Sequence, residues 1–193
     1  MRTFILLALA GLGAQLVDGS LGMAYGVSST TLLLFVGVAP ALASAAVHIA
    51  EVGTTAVSGI SHASFGNVDW SKIVWMAVPG GIGAFGGAYL LVYASTAEAT
   101  AGLVEPLVAI ILFSLGVYVL SRFAFRRHER PVTVRPVSRK FLTPLGLVAG
   151  FLDAFGGGGW GPISTPTLLS SGRMEPRARS SAPSTPASSW WRW

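Results

Sequence analysis

The chain has 193 residues, of which 52% are hydrophobic and only 11% are charged. Soluble domains carry roughly one quarter charged residues, so this composition indicates a membrane protein. The net charge of +5 comes from basic residues in segment 122–140 and after residue 173, outside the apolar stretches, which favours a role in membrane topology over nucleic-acid binding. The chain has no cysteine, which excludes disulfides, thiolate metal sites and cysteine nucleophiles.

The chain opens with two apolar stretches, 4–17 and 23–38, each too short to span a membrane. A single helix through both would be about 52 Å long, which exceeds the roughly 30 Å of bilayer hydrocarbon. We therefore expect a break at Asp18, within the sequence DGSLG. Broken helices occur in membranes only where the freed backbone groups are buried in protein or line a watery cavity, so this break is a candidate site.

Three later stretches have the roughly 20 apolar residues that a spanning helix needs, namely 41–60, 73–94 and 103–123. Segment 122–140 follows them and carries seven basic residues against one glutamate. The positive-inside rule places this segment in the cytoplasm, as a linker between two halves of the chain.

The sequence after the linker repeats the sequence at the start of the chain. LVAGFLDAFGGGGWGPISTPTLL aligns without gaps on LGAQLVDGSLGMAYGVSSTTLLL, at an offset of 135 residues (153 − 18). The predicted fold is therefore an all-α polytopic transmembrane bundle with an internal duplication and Gly-interrupted helices at Asp18 and Asp153. It divides into a first transmembrane repeat (1–121), a basic linker (122–140), the start of a second repeat (141–172) and an aberrant tail (173–193).

Duplicated membrane halves with interrupted helices at equivalent positions are typical of secondary transporters, whose binding sites lie where the two breaks meet. The N-termini of the half-helices at such breaks expose backbone N–H groups, and these attract anions. The pattern therefore predicts a transporter for a small anion.

Three stretches also carry a resemblance to a known family. They are GAQLVDGSLGMAYG, ASAAVHIAEVGTTAVSGISHASFGNVDW and GFLDAFGGGGWGPISTPTLLSSGRMEPR, which resemble the sulfite exporter TauE/SafE permeases, also called TSUP. The resemblance covers nearly all of residues 1–177. It implies a multi-pass protein of the plasma membrane, not an enzyme, that moves sulfite, sulfonates or related organosulfur anions without a cofactor.

Residues at and after the two breaks are the candidate substrate-binding groups. An intramembrane carboxylate such as Asp18 or Asp153 costs free energy unless it has a partner or lines a cavity. Each could equally cap the half-helix that follows it, and the neighbouring hydroxyls could simply favour helix packing. The predicted substrate-binding residues are Asp18, Ser29, Thr30, Asp153, Gly157, Gly158, Ser164 and Thr165.

His48, Glu51, Thr55 and His62 recur at helical spacing on the span 41–60 and just beyond it. His48 and Glu51 are predicted to couple transport to protons, with an interhelical hydrogen-bonded pair as the structural alternative. One His and one Glu in successive turns supply too few ligands for a metal site, so no metal is expected. Two other interpretations stay open: a membrane enzyme or assembly factor that uses His48 and Glu51 chemically, and a shortened fragment without function.

The stretch GIGAFG at residues 81–86 fits the dinucleotide-binding fingerprint G-x-G-x-x-G. It lies inside an apolar span rather than after a strand, so we interpret the match as accidental. Gly83 and Gly87 instead predict a helix face that allows close packing.

The final segment, 173–193, breaks the repeat, because the second copy should continue as an apolar span and does not. Codons compatible with residues 180–193, shifted by one base, encode VVGSVDTSEFVVAV, in which GSVDTSE aligns with AAVHIAE of the first repeat. We therefore expect a frameshift after about residue 177 and a disordered tail. A genuine short polar terminus is the alternative.

Overall fold

The computed structural model describes residue 5 and residues 8–9, 11–16, 25–65, 70–124 and 138–170. Within these residues the chain forms helices and no strand, which confirms the predicted all-α class. Asp18, most of the basic linker and the tail 173–193 lie outside the described residues, so the predictions made for them stay predictions. Residues 11–16 are helical, and the longer helices are α1 (Tyr25–Phe35), α2 (Pro40–Ser64), α3 (Trp70–Thr96), α4 (Ala101–Ala124), α5 (Arg139–Gly156) and α6 (Trp160–Ser170).

Three of the described helices are long and apolar enough to cross a membrane, namely α2, α3 and residues Ala101–Ser121 of α4. They coincide with the three spans predicted from the sequence. Helices α1 and α6 have 11 residues each and rise only about 16 Å, roughly half of the hydrocarbon thickness. Large apolar side chains such as Ile60, Phe85 and Phe113 are exposed on the long helices, as expected for surfaces that face lipid.

The two short helices occupy equivalent positions in the repeat. Their first residues lie 135 positions apart (160 − 25), and their last residues lie 135 apart as well (170 − 35). This is the offset at which the sequence repeats, so the duplicated sequence adopts the same local structure twice. The interruption predicted at Asp153 is present, because α5 ends at Gly156 and residues 157–159 are not helical.

The unwound segment after α5 crosses the first turns of α1 at backbone contact. A Cβ on Gly26 would lie 2.7 Å from the Cα of Gly158, and a Cβ on Gly157 would lie 2.6 Å from Cγ2 of Thr30, closer than real Cβ atoms come. Gly157 also has a φ of +78°, in the left-handed region that favours glycine. The hydroxyl of Thr30 donates a hydrogen bond to the carbonyl of Gly157. The two repeats therefore meet at their glycine-rich segments.

Helices α3 and α5 pack side by side through glycine. A Cβ on Gly83 would meet the backbone of Leu147, and a Cβ on Gly87 would meet the backbone of Phe151. The contacts advance in the same direction along both helices, so the pair is parallel. The prediction that Gly83 and Gly87 form a close-packing face is confirmed, and the accidental dinucleotide fingerprint lies on this helix rather than after a strand.

A small apolar core holds the end of α5 in place. It joins side chains from three helices, α3, α4 and α5, and Phe155 is the member from α5. Phe155 follows Asp153 by two residues, so its burial fixes the last turn of the helix that carries this carboxylate. The buried members of this cluster are Leu91, Val104, Val108, Leu112 and Phe155.

Alanine substitutions at Gly83 and at Gly81 distinguish the effect of helix packing on stability from the effect of helix propensity. A Cβ on Gly83 would lie 2.9 Å from the carbonyl carbon of Leu147, whereas a Cβ on Gly81 meets nothing within 4 Å. Gly83→Ala should lower stability by about 1–3 kcal/mol because α3 and α5 must separate. Gly81→Ala should be neutral or slightly stabilising because alanine favours the helix. Thermal unfolding in detergent, followed by fluorescence-detected size exclusion, measures both variants, and equal Tm values would contradict the packing of this pair.

Candidate functional site

The carboxylate of Asp153 organises the break between α5 and α6. Its Oδ1 accepts hydrogen bonds from the backbone N–H of Gly159, at 2.6 Å, and of Trp160, at 2.9 Å. The backbone carbonyl of Asp153 in turn accepts the N–H groups of Gly157 and Gly158, which close the last turn of α5. Asp153 therefore bonds to the backbone on both sides of the break, and its negative charge lies at the positive end of the α6 dipole.

The second oxygen of this carboxylate faces the imidazole of His48 on α2. His48 Nε2 lies 3.2 Å from Asp153 Oδ2, while His48 Nδ1 lies 2.7 Å from the backbone carbonyl of Ser44. A carbonyl oxygen and a carboxylate oxygen only accept hydrogen bonds. Both contacts are hydrogen bonds only if each ring nitrogen carries a proton, so this arrangement fits an imidazolium paired with a carboxylate. The side chains are 33% and 16% exposed, so the pair is shielded but reachable by water.

Ser44 makes a second connection between α2 and the break. Its buried hydroxyl donates to the carbonyl of Ala154, at 2.8 Å, one residue after Asp153. This bond satisfies a carbonyl near the end of α5, where the next helical turn is missing. Ser44 was not among the predicted site residues. Its position four residues before His48 was a usable signal, because residues at this spacing share a helix face.

Glu51 completes a set of three titratable groups. One ligand atom from each of His48, Glu51 and Asp153 lies within 4.8 Å of the other two, and all three residues are half-buried. Room for Glu51 depends on Gly26, since a Cβ there would come 3.1 Å from Glu51 Oε1. Among the described residues this is the set close enough to share one cation. A closed structural metal site uses four protein ligands, and this set supplies three. The prediction that no metal binds here is not tested by the arrangement and stays a prediction.

These three groups line a cavity of about 450 Å³ between the two repeats. Gln15, Tyr25, Thr54 and Thr55 add polar groups to its wall, and the backbone of Gly158 and the start of α6 close one side. Cavities of this size hold small ligands. A second cavity, of about 500 Å³, lies between α4, α5 and α6, and none of the residues that line it carries a carboxylate or an imidazole.

The predicted site residues divide into two groups in the structure. Asp153, Gly158, His48 and Glu51 line the cavity together. Gly157 lies beside it and contacts Thr30, as described above. The pairing of Asp153 with His48 was missed, because the two residues are 105 positions apart and no periodicity connects them.

The four predicted hydroxyl residues do not line the cavity. The hydroxyls of Thr30 and Ser164 both donate to backbone carbonyls, that of Ser164 to Trp160. Ser29 is buried, and its Oγ has no hydrogen-bond partner among the described residues. Thr165 is partly buried. Like Ser29, Thr30 and Ser164, it is not among the residues that line the cavity. Asp18 lies outside the described residues, so its predicted role stays a prediction.

Comparison with known proteins gives one family and one curated relative. The chain is 50% identical over 180 residues to the probable membrane transporter protein YtnM of Bacillus subtilis (strain 168), a match that covers 92% of this chain and 58% of the relative. The chain thus spans a little more than half the length of that relative. No solved structure matches the chain.

The family match extends over residues 7–186, which includes almost all of the predicted first repeat, the predicted linker and the predicted start of the second repeat. It ends inside segment 173–193, for which a frameshift is predicted, so that prediction stays open. With most of its length matched, this chain belongs to the sulfite exporter TauE/SafE family.

Proposed function

We propose that this protein is an integral membrane permease for small anions of the sulfite, sulfonate or related organosulfur class, coupled to protons. The observation that carries the proposal is the cavity at the junction of the two repeats, which is lined by His48, Glu51 and Asp153. Family membership and the YtnM relative support transport across a membrane. The interrupted helix at Asp153 supports a binding site at this place, because transporters of duplicated halves bind their substrates at such breaks.

Charge balance in the cavity argues for proton coupling. With His48 protonated and both carboxylates ionised, the three groups carry one net negative charge. A second anion about 4 Å from an unneutralised carboxylate is repelled by about 4 kcal/mol at an effective dielectric constant of about 20. One further proton makes the set neutral and removes this repulsion. We therefore infer that a proton and the substrate anion bind together, with His48 and Glu51 as the proton carriers and with Asp153, which contacts His48, sharing the bound proton.

The anion would bind to the polar part of the cavity wall. Its polar groups include the phenol of Tyr25 and the amide of Gln15, and the hydroxyls of Thr54 and Thr55 could donate to an anion after they release the carbonyl of Glu51, to which both now donate. The first N–H groups of α6 are already bonded to Asp153, so an anion reaches them only if this carboxylate moves or is neutralised. Ser29, Thr30, Gly157, Ser164 and Thr165 do not line the cavity, so they would be substrate contacts only in another state of the transport cycle. Asp18 remains a predicted substrate contact.

Asp153 would connect proton binding to movement of the broken helix. Its Oδ1 holds the start of α6 and its Oδ2 holds His48 of α2. Neutralising this carboxylate weakens both sets of charge-assisted hydrogen bonds at once. The relative positions of α2, α5 and α6 can then change when the proton binds, which is the requirement for alternating access around a fixed site.

The proposed location is the plasma membrane, with segment 122–140 in the cytoplasm. The segment joins the end of α4 to the start of α5, and α5 is parallel to α3. The beginnings of α3 and α5 would therefore lie on the cytoplasmic side. The abundance of basic residues in the segment supports this orientation.

Two substitutions of Asp153 separate its capping role from its charge. Asparagine caps helices about as well as aspartate, so Asp153→Asn should retain the fold of the break, whereas Asp153→Ala should cost about 0.5–2 kcal/mol of stability. The asparagine variant cannot take up a proton, so its transport should lose the pH dependence of the wild type. Tm in detergent and flux of labelled sulfite or a sulfonate at several pH values measure the two effects. A normal pH profile in a folded Asp153→Asn variant would remove Asp153 from the proton site.

Glu51→Gln tests the coupling between proton and anion. The variant should still exchange internal for external anion, because exchange needs no net proton movement, but a pH gradient should no longer drive accumulation of labelled anion in proteoliposomes. Glu98→Gln is the matched control, because it removes the same charge from an exposed residue in the turn between α3 and α4. Gradient-driven accumulation that is equal in Glu51→Gln and wild type would contradict the coupling role. No anion flux in any wild-type preparation would contradict the proposed function itself.

A further inference from the structure

A cluster of basic and aromatic side chains lies where α3 and α5 begin, far along both helices from the cavity. Its members are Trp70, Lys72 and Trp75 of α3, and Arg139 and Lys140 of α5. We call this the α3–α5 basic surface. Neither helix has an acidic residue in its first turn. Asp69 precedes Trp70 in the sequence and lies outside the described residues. When Asp69 is included, this region has three cationic side chains and one carboxylate.

The glycine contacts between the two helices bring these side chains together. Gly146 of α5 packs on the backbone of Met76 in α3, so the parallel helices are in contact within two turns of their beginnings. At this end the guanidinium of Arg139 lies over the ring of Trp75, with Cζ 4.7 Å from the ring centroid. Cation–π stacking of this kind fixes the guanidinium plane, while the N–H groups at its edge can donate to a further partner.

The surface has the composition of a site for an anionic headgroup at the membrane boundary. Helix α3 is long and apolar enough to span a membrane, so its first turns would lie at the interface, and Trp70 in the first turn is 67% exposed. Exposed tryptophan is enriched at this depth because its ring packs on acyl chains while its N–H reaches the headgroups. Arg139 and Lys140 are exposed beside it. Basic pockets between membrane helices bind the phosphates of anionic lipids.

We propose that the α3–α5 basic surface binds the headgroup phosphate of an anionic phospholipid such as phosphatidylglycerol. Arg139, fixed by Trp75, would contact the phosphate through its N–H edge, and Lys72 and Lys140 would supply the remaining positive charge. Trp70 would pack on the upper part of the acyl chains. The proposal is independent of what the cavity transports, because no residue of this surface lines it.

Native mass spectrometry of the full chain released from detergent can count bound lipids. The full chain should retain phosphatidylglycerol over phosphatidylcholine when both are added in equal amounts. Arg139→Gln should reduce retention about fivefold, which corresponds to the about 1 kcal/mol that one basic residue contributes at an anionic membrane surface. Trp75→Leu should also reduce it, although the net charge is unchanged, because Arg139 loses its support.

Arg130→Gln is the matched control, because it removes the same charge from the linker sequence, outside the described residues. Equal losses in Arg139→Gln and Arg130→Gln, together with no loss in Trp75→Leu, would overturn the proposal in favour of diffuse attraction to an anionic bilayer. Inorganic phosphate at millimolar concentration distinguishes the two sources of the ligand. Displacement of the lipid by phosphate would show a soluble phosphate site and also overturn the proposal, whereas the lipid should remain bound.

Discussion

The carboxylate of Asp153 is shared between two structural tasks, and the junction of the two repeats depends on it. One oxygen satisfies the first N–H groups of α6, and the other pairs with His48 on α2. Without the first contact, a helix start buried in a membrane protein leaves donors without acceptors. Without the second, a half-buried carboxylate lacks a counter-charge. The glycines at the crossing permit the close approach that places both partners within reach of one side chain.

The same contacts underlie the proposal that this protein transports anions together with protons. Ionised carboxylates repel an anion. A cavity that contains two of them therefore disfavours anion binding until a proton reduces the negative charge of the cavity. Substrate binding and proton binding are then linked, because each makes the other more favourable. Asp153 also accepts a hydrogen bond from the start of α6. Protonation of Asp153 would therefore weaken the contact that fixes the start of this helix.

Much of the fold was predictable because its signals are local. Apolar run lengths identified three spans, and the repeat offset of 135 residues (153 − 18) recurs in the bounds of the two short helices. Gly83 and Gly87 indicated a close-packed face without showing which helix lies against it. The pair of His48 with Asp153 and the bond from Ser44 to Ala154 were not predictable, because both join residues more than 100 positions apart. The hydroxyls of Thr30 and Ser164 satisfy nearby carbonyls, a use of Ser and Thr that the sequence cannot distinguish from ligand binding.

In the proposed mechanism, an anion and a proton bind together in this cavity. The most direct test is proton uptake by the purified protein, measured with a pH indicator in weakly buffered detergent solution, when a simple sulfonate is added. A sulfonate stays ionised throughout the physiological pH range, so any proton taken up belongs to the protein. We expect the protein to take up close to one proton for each sulfonate that it binds. Saturable sulfonate binding without proton uptake, at every pH tested, would contradict it.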